Sequence, residues 1–362
     1  MIRLSLSTQK RLMRYLFFVF ICLSITVSAF SQMGGQGVYQ FLYLTNSPRV
    51  AALGGNNITL FENDPALAYQ NPALLVDSMD KHVALNYVNY FTDINYGYAG
   101  YAFHLKGRGD ASVGIHHINY GKFDEADETG NITGKFYASE YAFNLIYSHP
   151  IIDSCFRAAI NIKPVLSVFD QYKSFGIVAD AGFSYYNSKR RFSAALVLKN
   201  FGSQIKPYNK GNIEPIDFDL QMGISKKLKH APLRISVTAQ HLENWNLAFT
   251  DPNSTDNQTD LITGETKKRS YVSKKGDEIM RHIIIGTELI ITRNFYVGFG
   301  YNYQRRKEMV VETRPFMVGT SWGFGFRISK FHFSYARACF HLAGASNLFA
   351  ISTNLADFYK KE

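Results

Sequence analysis

From residue 82 onward the sequence repeats one pattern, in which bulky apolar residues alternate with small or polar ones over roughly ten to fifteen positions before a turn. In one such run, Trp322, Phe324 and Phe326 are separated by single glycines. Because successive side chains of a β-strand point to opposite faces, this period gives one apolar face toward lipid and one small or polar face toward a lumen. The pattern therefore predicts membrane-spanning strands.

Fourteen runs of this kind are present in the chain. They occupy residues 82–92, 95–106, 110–120, 135–148, 155–169, 173–187, 190–201, 216–228, 232–244, 280–291, 294–305, 319–328, 330–340 and 346–356. An even number of strands lets a bacterial outer-membrane barrel close with both of its ends on the periplasmic side. The predicted fold is therefore all-β, an antiparallel transmembrane β-barrel of about fourteen strands formed by residues 82–362.

The connections between the runs differ in length in a regular way. If the first strand runs outward, short connections such as 107–109 and 292–293 fall on the periplasmic side. The long connections fall on the outer side and comprise residues 121–134, 202–215, 245–279 and 306–318. Outer-membrane barrels sort their loops in this way, whereas a soluble β-sandwich has no reason to do so. An aromatic content of 15% also suits the aromatic girdles of a barrel.

Residues 1–32 have the pattern of a secretory signal peptide. Four basic residues precede an apolar stretch from Leu16 to Phe30, and small residues near Ser31 suit cleavage. Met13 is an alternative start that would give a signal of ordinary length. The other interpretation is a retained transmembrane helix, but the stretch is short for a bilayer and no stop-transfer flank follows. The sequence predicts removal of the signal near Gln32 and export to the outer membrane of a Gram-negative bacterium.

Residues 33–81 lack the alternating pattern and contain three helix starts instead. In each of them a capping residue precedes a proline, which suits the first position of a helix. The three pairs are Ser47-Pro48, Asp64-Pro65 and Asn71-Pro72. The pair Gly54-Gly55 follows the first start and suits a left-handed helix end. A segment this short does not form a domain alone, so we predict a partly helical hatch that packs inside the barrel lumen.

The sequence contains no recognisable motif for catalysis, for a metal or for a cofactor. Its histidines are scattered, and His116 and His117, adjacent in one predicted strand, point to opposite faces. The loop from Asp251 begins like a calcium loop but lacks the glycine and glutamate that the motif requires. Cys155 and Cys339 are expected to be free thiols. We therefore expect no enzyme activity and no cofactor.

The chain carries a net charge of +10, and four of its cations lie in residues 1–32. The others lie mostly at predicted strand ends and in loops, as at 267–269. This distribution favours the headgroups of outer-membrane lipid and lipopolysaccharide, or an acidic partner, over nucleic acid. Charges of both signs at inward positions favour internal salt bridges and a closed lumen over a pore selective for one ion.

Two stretches before the barrel resemble a known family. GGQGVYQFLYLTNSPRVAALGG at 34–55 and NDPALAYQNPALL at 63–75 are similar to the N-terminal region of the PorQ family of the type IX secretion system. More distantly, the Asn-Pro-Ala sequence resembles a signature in the hatch of fatty-acid-transporter-like barrels. The residues that carry the resemblance are Ser47, Pro48, Arg49, Gly54, Gly55, Asn71, Pro72 and Ala73.

The PorQ resemblance implies a non-enzymatic component of a cell-surface attachment complex. In that complex a surface subunit, PorZ, is held at the outer face beside the sortase-like PorU and the barrel PorV. We predict the contact in the loop 245–279, because it mixes aromatic and polar residues as partner surfaces do, although an unstructured loop is the alternative. The candidate partner-binding residues are Trp245, Leu247, Phe249 and Tyr271.

Two other functions fit the same architecture. The likeness to fatty-acid-transporter-like barrels implies a channel for small hydrophobic molecules that opens by movement of the hatch. Apolar residues of the hatch would line its pocket or, equally, seat the plug: Leu42, Leu44, Leu53, Phe61, Leu67 and Leu74. A structural porin would instead need a continuous aqueous path through the lumen.

Overall fold

The computed structural model describes residues 37–152, 155–247, 271–309, 317–341 and 344–359. Within these residues fourteen antiparallel strands form one closed barrel, which confirms the predicted fold. The strands are β1 (His82–Asn89), β2 (Asn95–Leu105), β3 (Gly109–Ala126), β4 (Ile132–Ile152), β5 (Phe156–Phe169), β6 (Tyr172–Asn187), β7 (Phe192–Lys206), β8 (Asp219–Lys227), β9 (Leu233–Ala239), β10 (Ile283–Thr292), β11 (Phe295–Asn302), β12 (Thr320–Ile328), β13 (Phe331–His341) and β14 (Gly344–Asn354). The predicted signal peptide lies outside the described residues.

Each strand pairs with its neighbours in the sequence, and β1 pairs with β14 to close the barrel. In the closing pair, His82 lies opposite Asn354. The two-residue period separates the faces of the wall, since Leu85 and Tyr87 of β1 are exposed on the outer surface whereas Val88 is fully buried inside. Closure leaves no strand edge unpaired, and this is the arrangement that a lipid environment requires.

Residues 37–81 lie inside the barrel as a chain of short turns. The described part of this hatch comprises the helix α1 (Pro48–Ala52) and the 3-10 turns Gln40–Tyr43, Pro65–Tyr69, Pro72–Leu74 and Asp77–Met79. Five almost fully buried apolar residues pack against one another within it: Val50, Leu53, Leu60, Leu67 and Leu74. The described part of the hatch begins at the end of the barrel that carries the long connections, which marks the outer end. There the Val38 N–H donates to the Pro215 carbonyl at 3.0 Å, and the hatch ends where it joins β1. It therefore fills the lumen from one end toward the other.

Strands β3 and β4 extend farther outward than the sequence pattern indicated. The predicted loop 121–134 is mostly a two-stranded ribbon, in which Phe123 and Phe136 stack with ring centroids 5.2 Å apart. Asp127 organises the turn at its tip, because one carboxylate oxygen accepts two backbone N–H groups at 2.9 Å. The loop prediction was wrong here because a cross-strand aromatic pair and an Asx turn stabilise strand pairing beyond the lipid-facing region.

Two outer connections contain helices instead of continued strand or loop. Helix α2 (Tyr271–His282) precedes β10, and helix α3 (Tyr303–Met309) follows β11. Both helices include residues that the alternating pattern assigned to strands. Contacts between the two helices decide the conformation of these residues, and a pattern of alternating residues gives no sign of such contacts. One of these contacts is a hydrogen bond of 2.5 Å from Tyr303 Oη to Asp277 Oδ1. Among the described residues, the structure contains no helix with the length and apolar character needed to cross a membrane.

Candidate functional site

Two of the three proline motifs of the hatch carry side-chain caps. Asp64 and Asn71 each accept the backbone N–H two residues ahead, at 3.0 Å and 2.9 Å, and so fix the start of the following turn. Ser47 precedes Pro48 at the start of α1 but makes no capping hydrogen bond. The expected cap is therefore missing there, and proline geometry alone fixes the start of α1.

The glycine pair ends α1 and also joins it to the barrel wall. Gly54 and Gly55 have backbone φ angles of 99° and 89°, a conformation that residues with a Cβ rarely adopt. The Gly54 N–H donates to Ser321 Oγ of β12 at 3.0 Å, and its carbonyl accepts from Asn302 Nδ2 of β11 at 3.4 Å. These glycines thus turn the chain and let its backbone approach the wall.

Four glycines on the inner faces of β10, β11 and β12 receive the end of α1. We call this set the glycine seat, and its members are Gly286, Gly298, Gly300 and Gly323. A Cβ on Gly323 would lie only 2.9 Å from the Cβ of Ala52, and one on Gly300 would overlap the backbone of Gly54. Sequence reasoning missed the seat, although its signal was present as glycines at inward positions of adjacent strands.

The Asn-Pro-Ala sequence contacts β6. Gly182 of β6 lies against it, and a Cβ there would be 3.2 Å from Pro72 Cδ. Ser184 Oγ donates to the Ala73 carbonyl at 3.0 Å, while Asn71 Nδ2 donates to another hatch carbonyl at 2.8 Å. This sequence therefore forms a contact between hatch and wall.

A largely buried cluster of four charged residues links the hatch to β9 and β10. We call it the charge cluster, and it comprises Arg49 and Glu62 of the hatch with Arg234 and Glu288 of the wall. Glu288 Oε1 lies 2.7 Å from Arg49 Nε, and its Oε2 lies 2.9 Å from an Arg234 nitrogen. The Arg49 guanidinium also lies 4.1 Å from the centroid of the Tyr296 ring. Each carboxylate contacts both guanidinium groups, so removal of one residue leaves buried charge uncompensated.

A second polar contact ties the hatch to the opposite wall. Lys199 Nζ of β7 donates to Gln70 Oε1 at 2.9 Å, and Tyr69 Oη lies 2.9 Å from His116 Nδ1 of β3. His116 is fully buried, whereas His117 stacks on an aromatic ring of the neighbouring strand, so the two imidazoles do lie on opposite faces. The lumen therefore holds the hatch by polar contacts on two sides.

Apolar residues of the hatch and the wall pack together at the outer end of the lumen. Tyr39, Phe41 and Leu42 of the hatch are buried there in one hydrophobic cluster. Around it pack partly buried residues that we call the apolar mouth: Val38, Leu44, Tyr90, Phe91, Ile94, Tyr120 and Ile216. Most of these come from the connections at the outer ends of the strands, so the mouth lies at the outer end of the barrel.

The structure places the predicted partner-binding residues apart from one another. Trp245 is 53% exposed and stacks on His282 at the end of α2, with 5.2 Å between the ring centroids. Leu247 is half-buried, and Tyr271 is the first residue of α2. Phe249 lies outside the described residues. Of these predicted residues, Trp245 is therefore a large aromatic residue whose side chain is exposed at the outer surface.

Helices α2 and α3 and the Trp245 side chain form a surface that we call the outer cap. Asp277 of α2 accepts hydrogen bonds from Tyr303 Oη at 2.5 Å and from Arg281 Nε at 2.9 Å. Lys307 Nζ of α3 lies 3.6 Å from the same carboxylate. Partial burial acts to raise the pKa of the Asp277 carboxyl, but the Tyr303 hydrogen bond and the Arg281 charge together lower it. The carboxylate therefore stays ionised and holds the two helices together.

Comparison with known proteins gives fold-level similarity. No protein-family model and no curated protein sequence matches the chain. A mutant of the TodX monoaromatic hydrocarbon channel superposes with a TM-score of 0.50 at 10% identity, over 86% of this chain and 99% of that one. A FadL homologue from Pseudomonas aeruginosa gives a TM-score of 0.44 at 11% identity, over 89% of this chain and 100% of that one. None of these matches supports the PorQ resemblance specifically. The chain is an outer-membrane β-barrel that shares the fold of this hydrocarbon channel.

Proposed function

We propose that this protein is an outer-membrane channel for small hydrophobic molecules, closed at rest by its hatch. The observation that carries the proposal is the apolar mouth, whose residues pack against the buried residues Tyr39, Phe41 and Leu42 of the hatch. An apolar molecule arriving from outside gains free energy by leaving water at such a surface. The fold shared with a hydrocarbon channel agrees with this function by analogy.

Passage through the barrel requires the hatch to move. The hatch fills the lumen, yet the contacts described above are noncovalent: the glycine seat, the charge cluster and hydrogen bonds to β6 and β7. Such contacts exchange for others when a segment shifts. We infer that an apolar molecule in the mouth competes with the packing of the hatch start and so favours its displacement.

A disulfide between hatch and wall should abolish transport. Ala52→Cys and Gly298→Cys suit this lock, because a Cβ at residue 298 would lie 3.2 Å from that of Ala52, near the range of about 3.5–4.5 Å found in disulfides. With Cys155 and Cys339 replaced by serine, we expect oxidation to lower uptake of labelled toluene and oleate by intact cells at least tenfold. Reduction should restore uptake.

The Ala52→Cys single variant is the matched control, because it introduces a thiol at the same place without a partner. Its uptake should not respond to oxidation. Unchanged uptake by the oxidised double variant would show that the hatch need not move. Uptake by cells with the wild-type protein no faster than by cells without it would contradict the channel itself.

A second candidate function is retention of a surface partner, as the PorQ resemblance implies. The observation that favours it is the outer cap, an ordered surface in which Trp245 is 53% exposed and held by stacking on His282. Exposed tryptophans with a fixed orientation are frequent centres of protein interfaces. On this proposal the cap holds a PorZ-like subunit, with a PorU-like sortase and a PorV-like barrel nearby.

Replacing Trp245 should release such a partner. We expect Trp245→Ala to lower the yield of a co-purifying surface protein at least tenfold, because truncation of an aromatic anchor costs about 2 kcal/mol or more. The measurement is affinity purification from detergent-solubilised outer membranes followed by identification of the bound proteins. Tyr359→Ala, an exposed aromatic beyond β14, is the control and should leave the yield unchanged. Equal recovery from both variants would remove Trp245 from the interface.

A further inference from the structure

Three side chains that commonly ligate metals converge at the outer ends of β8 and β9. Asp219 begins β8, while His241 and Glu243 follow the end of β9. One potential ligand atom from each lies within 4.8 Å of the others. We propose that these residues form a binding site for a divalent transition-metal ion of the Zn²⁺ type, at the outer rim of the barrel.

The distances between the ligand atoms fit such an ion. His241 Nδ1 lies 3.6 Å from Asp219 Oδ1 and 3.5 Å from Glu243 Oε1. Bonds of about 2.0–2.1 Å in tetrahedral geometry place neighbouring ligand atoms about 3.3–3.4 Å apart. The two carboxylates lie within 4.8 Å of each other, so the side chains must draw together for all three atoms to reach one ion.

Backbone hydrogen bonds already orient the two carboxylates. The Leu220 N–H donates to Glu243 Oε2 at 2.8 Å, which leaves Oε1 directed at the imidazole. The His241 N–H donates to Asp219 Oδ1 at 2.7 Å, and that oxygen retains a second lone pair. The backbone φ of His241 is 55°, a left-handed conformation that bends the chain back toward β8. The site is thus arranged before any ion arrives, which lowers the cost of binding.

A buried amide next to Asp219 is an independent sign of a missing ligand. Gln221 is 2% exposed, and its Nε2 donates to Asp219 Oδ2. Its Oε1 has no hydrogen-bond partner among the described residues, although a buried carbonyl oxygen without a partner costs free energy. An ion bound to Asp219 would place positive charge beside this oxygen and supply the missing interaction. Gln221 therefore leaves a buried carbonyl oxygen beside Asp219 without a partner in the described structure.

The charges and the access route both agree with a divalent cation. Two carboxylates and one neutral imidazole leave a net charge of about −2 for the ion to neutralise. Lys199 lies opposite Asp219 in the strand pairing, but its Nζ bonds to Gln70 of the hatch at 2.9 Å. The side chains of His241 and Glu243 are 27% and 17% exposed, so an ion can enter from outside. An imidazole ligand favours Zn²⁺ over Ca²⁺ and Mg²⁺, which prefer oxygen throughout.

Zinc binding by tag-free, detergent-solubilised protein tests the site. We expect calorimetric titration and metal analysis after dialysis to give one zinc per wild-type chain. His241→Gln and Glu243→Gln should each weaken zinc binding at least tenfold, because each removes a ligand while preserving size. Migration of the folded barrel in gels without boiling shows whether each variant has folded.

His104→Gln is the matched control. His104 Nδ1 also lies 2.7 Å from an aspartate, Asp110, but Arg157 occupies the other side of that carboxylate. Its zinc binding should equal that of the wild type. The proposal fails if the wild type binds no zinc, if Ca²⁺ binds at the site in preference to Zn²⁺, or if both ligand variants bind as the wild type does.

Discussion

Replacement of Glu288 by alanine should release the hatch from the barrel wall without unfolding the barrel. The Glu288 carboxylate is 1% exposed and contacts both Arg49 and Arg234, whose side chains are 9% and 12% exposed. Its removal leaves two guanidinium groups buried with only Glu62 to compensate them. Removing one partner of a buried ion pair typically lowers stability by about 3–5 kcal/mol. The β10 backbone is unaffected, because its hydrogen bonds to β9 and β11 do not involve this side chain.

Hydrogen exchange of the amides of residues 37–81 measures this effect. A loss of about 3 kcal/mol in hatch docking corresponds to exchange that is more than a hundredfold faster, while the strand amides stay protected. Asp124→Ala is the control, because Asp124 pairs with Lys135 at 3.6 Å and both side chains are more than half exposed. Such a pair contributes less than about 1 kcal/mol. Equal exchange in the Glu288→Ala variant and the wild type would contradict a stabilising role for the charge cluster.

Gly300→Val should prevent α1 from docking on the glycine seat. A Cβ at this position would overlap the backbone of Gly54 and of Leu53, and a backbone cannot rotate aside as a side chain can. Overpacking a core typically costs about 1–3 kcal/mol, and a clash with two backbone groups belongs at the upper end. Since the clash lies between the hatch and the wall, we expect the hatch to leave its place and the lumen to open.

Conductance across planar bilayers checks this prediction. The wild-type barrel should conduct little, because its hatch fills the lumen, and the Gly300→Val barrel should conduct several times more. Gly276→Ala is the control: its Cβ would meet no atom within 4 Å, and alanine favours helix α2 by about 1 kcal/mol over glycine. A wild-type protein that already conducts as an open pore would contradict the closed lumen and support a structural porin.

The number and order of the strands followed from the sequence because the two-residue period is local. The runs 319–328 and 330–340 predicted β12 and β13 to within one residue at each end. Other observed boundaries differ from the predicted ones. Residues 303–305 were predicted as strand but belong to α3, and residues 121–126 were predicted as loop but belong to β3. In both places contacts with another segment override the period.

In the hatch too, the sequence predicted local features but not the contacts between distant residues. The motifs around Pro65 and Pro72 predicted where turns begin, because a cap and a proline act within one turn. The sequence also contained Arg49 and the inward glycines, but nothing local indicated that they meet. Arg49 and Glu288 are 239 positions apart, and their pairing depends on closure of the barrel around the hatch.

The sequence by itself thus determined a fourteen-stranded barrel preceded by a segment of capped turns, since alternation, capping and turn chemistry are properties of neighbouring residues. Only the tertiary structure decided which wall receives the hatch, which charges pair and which side chains gather at the outer rim. These contacts join residues far apart in the chain, and a side chain's inward direction does not reveal what lies opposite it. The glycine seat, the charge cluster and the proposed metal site all arise at this level.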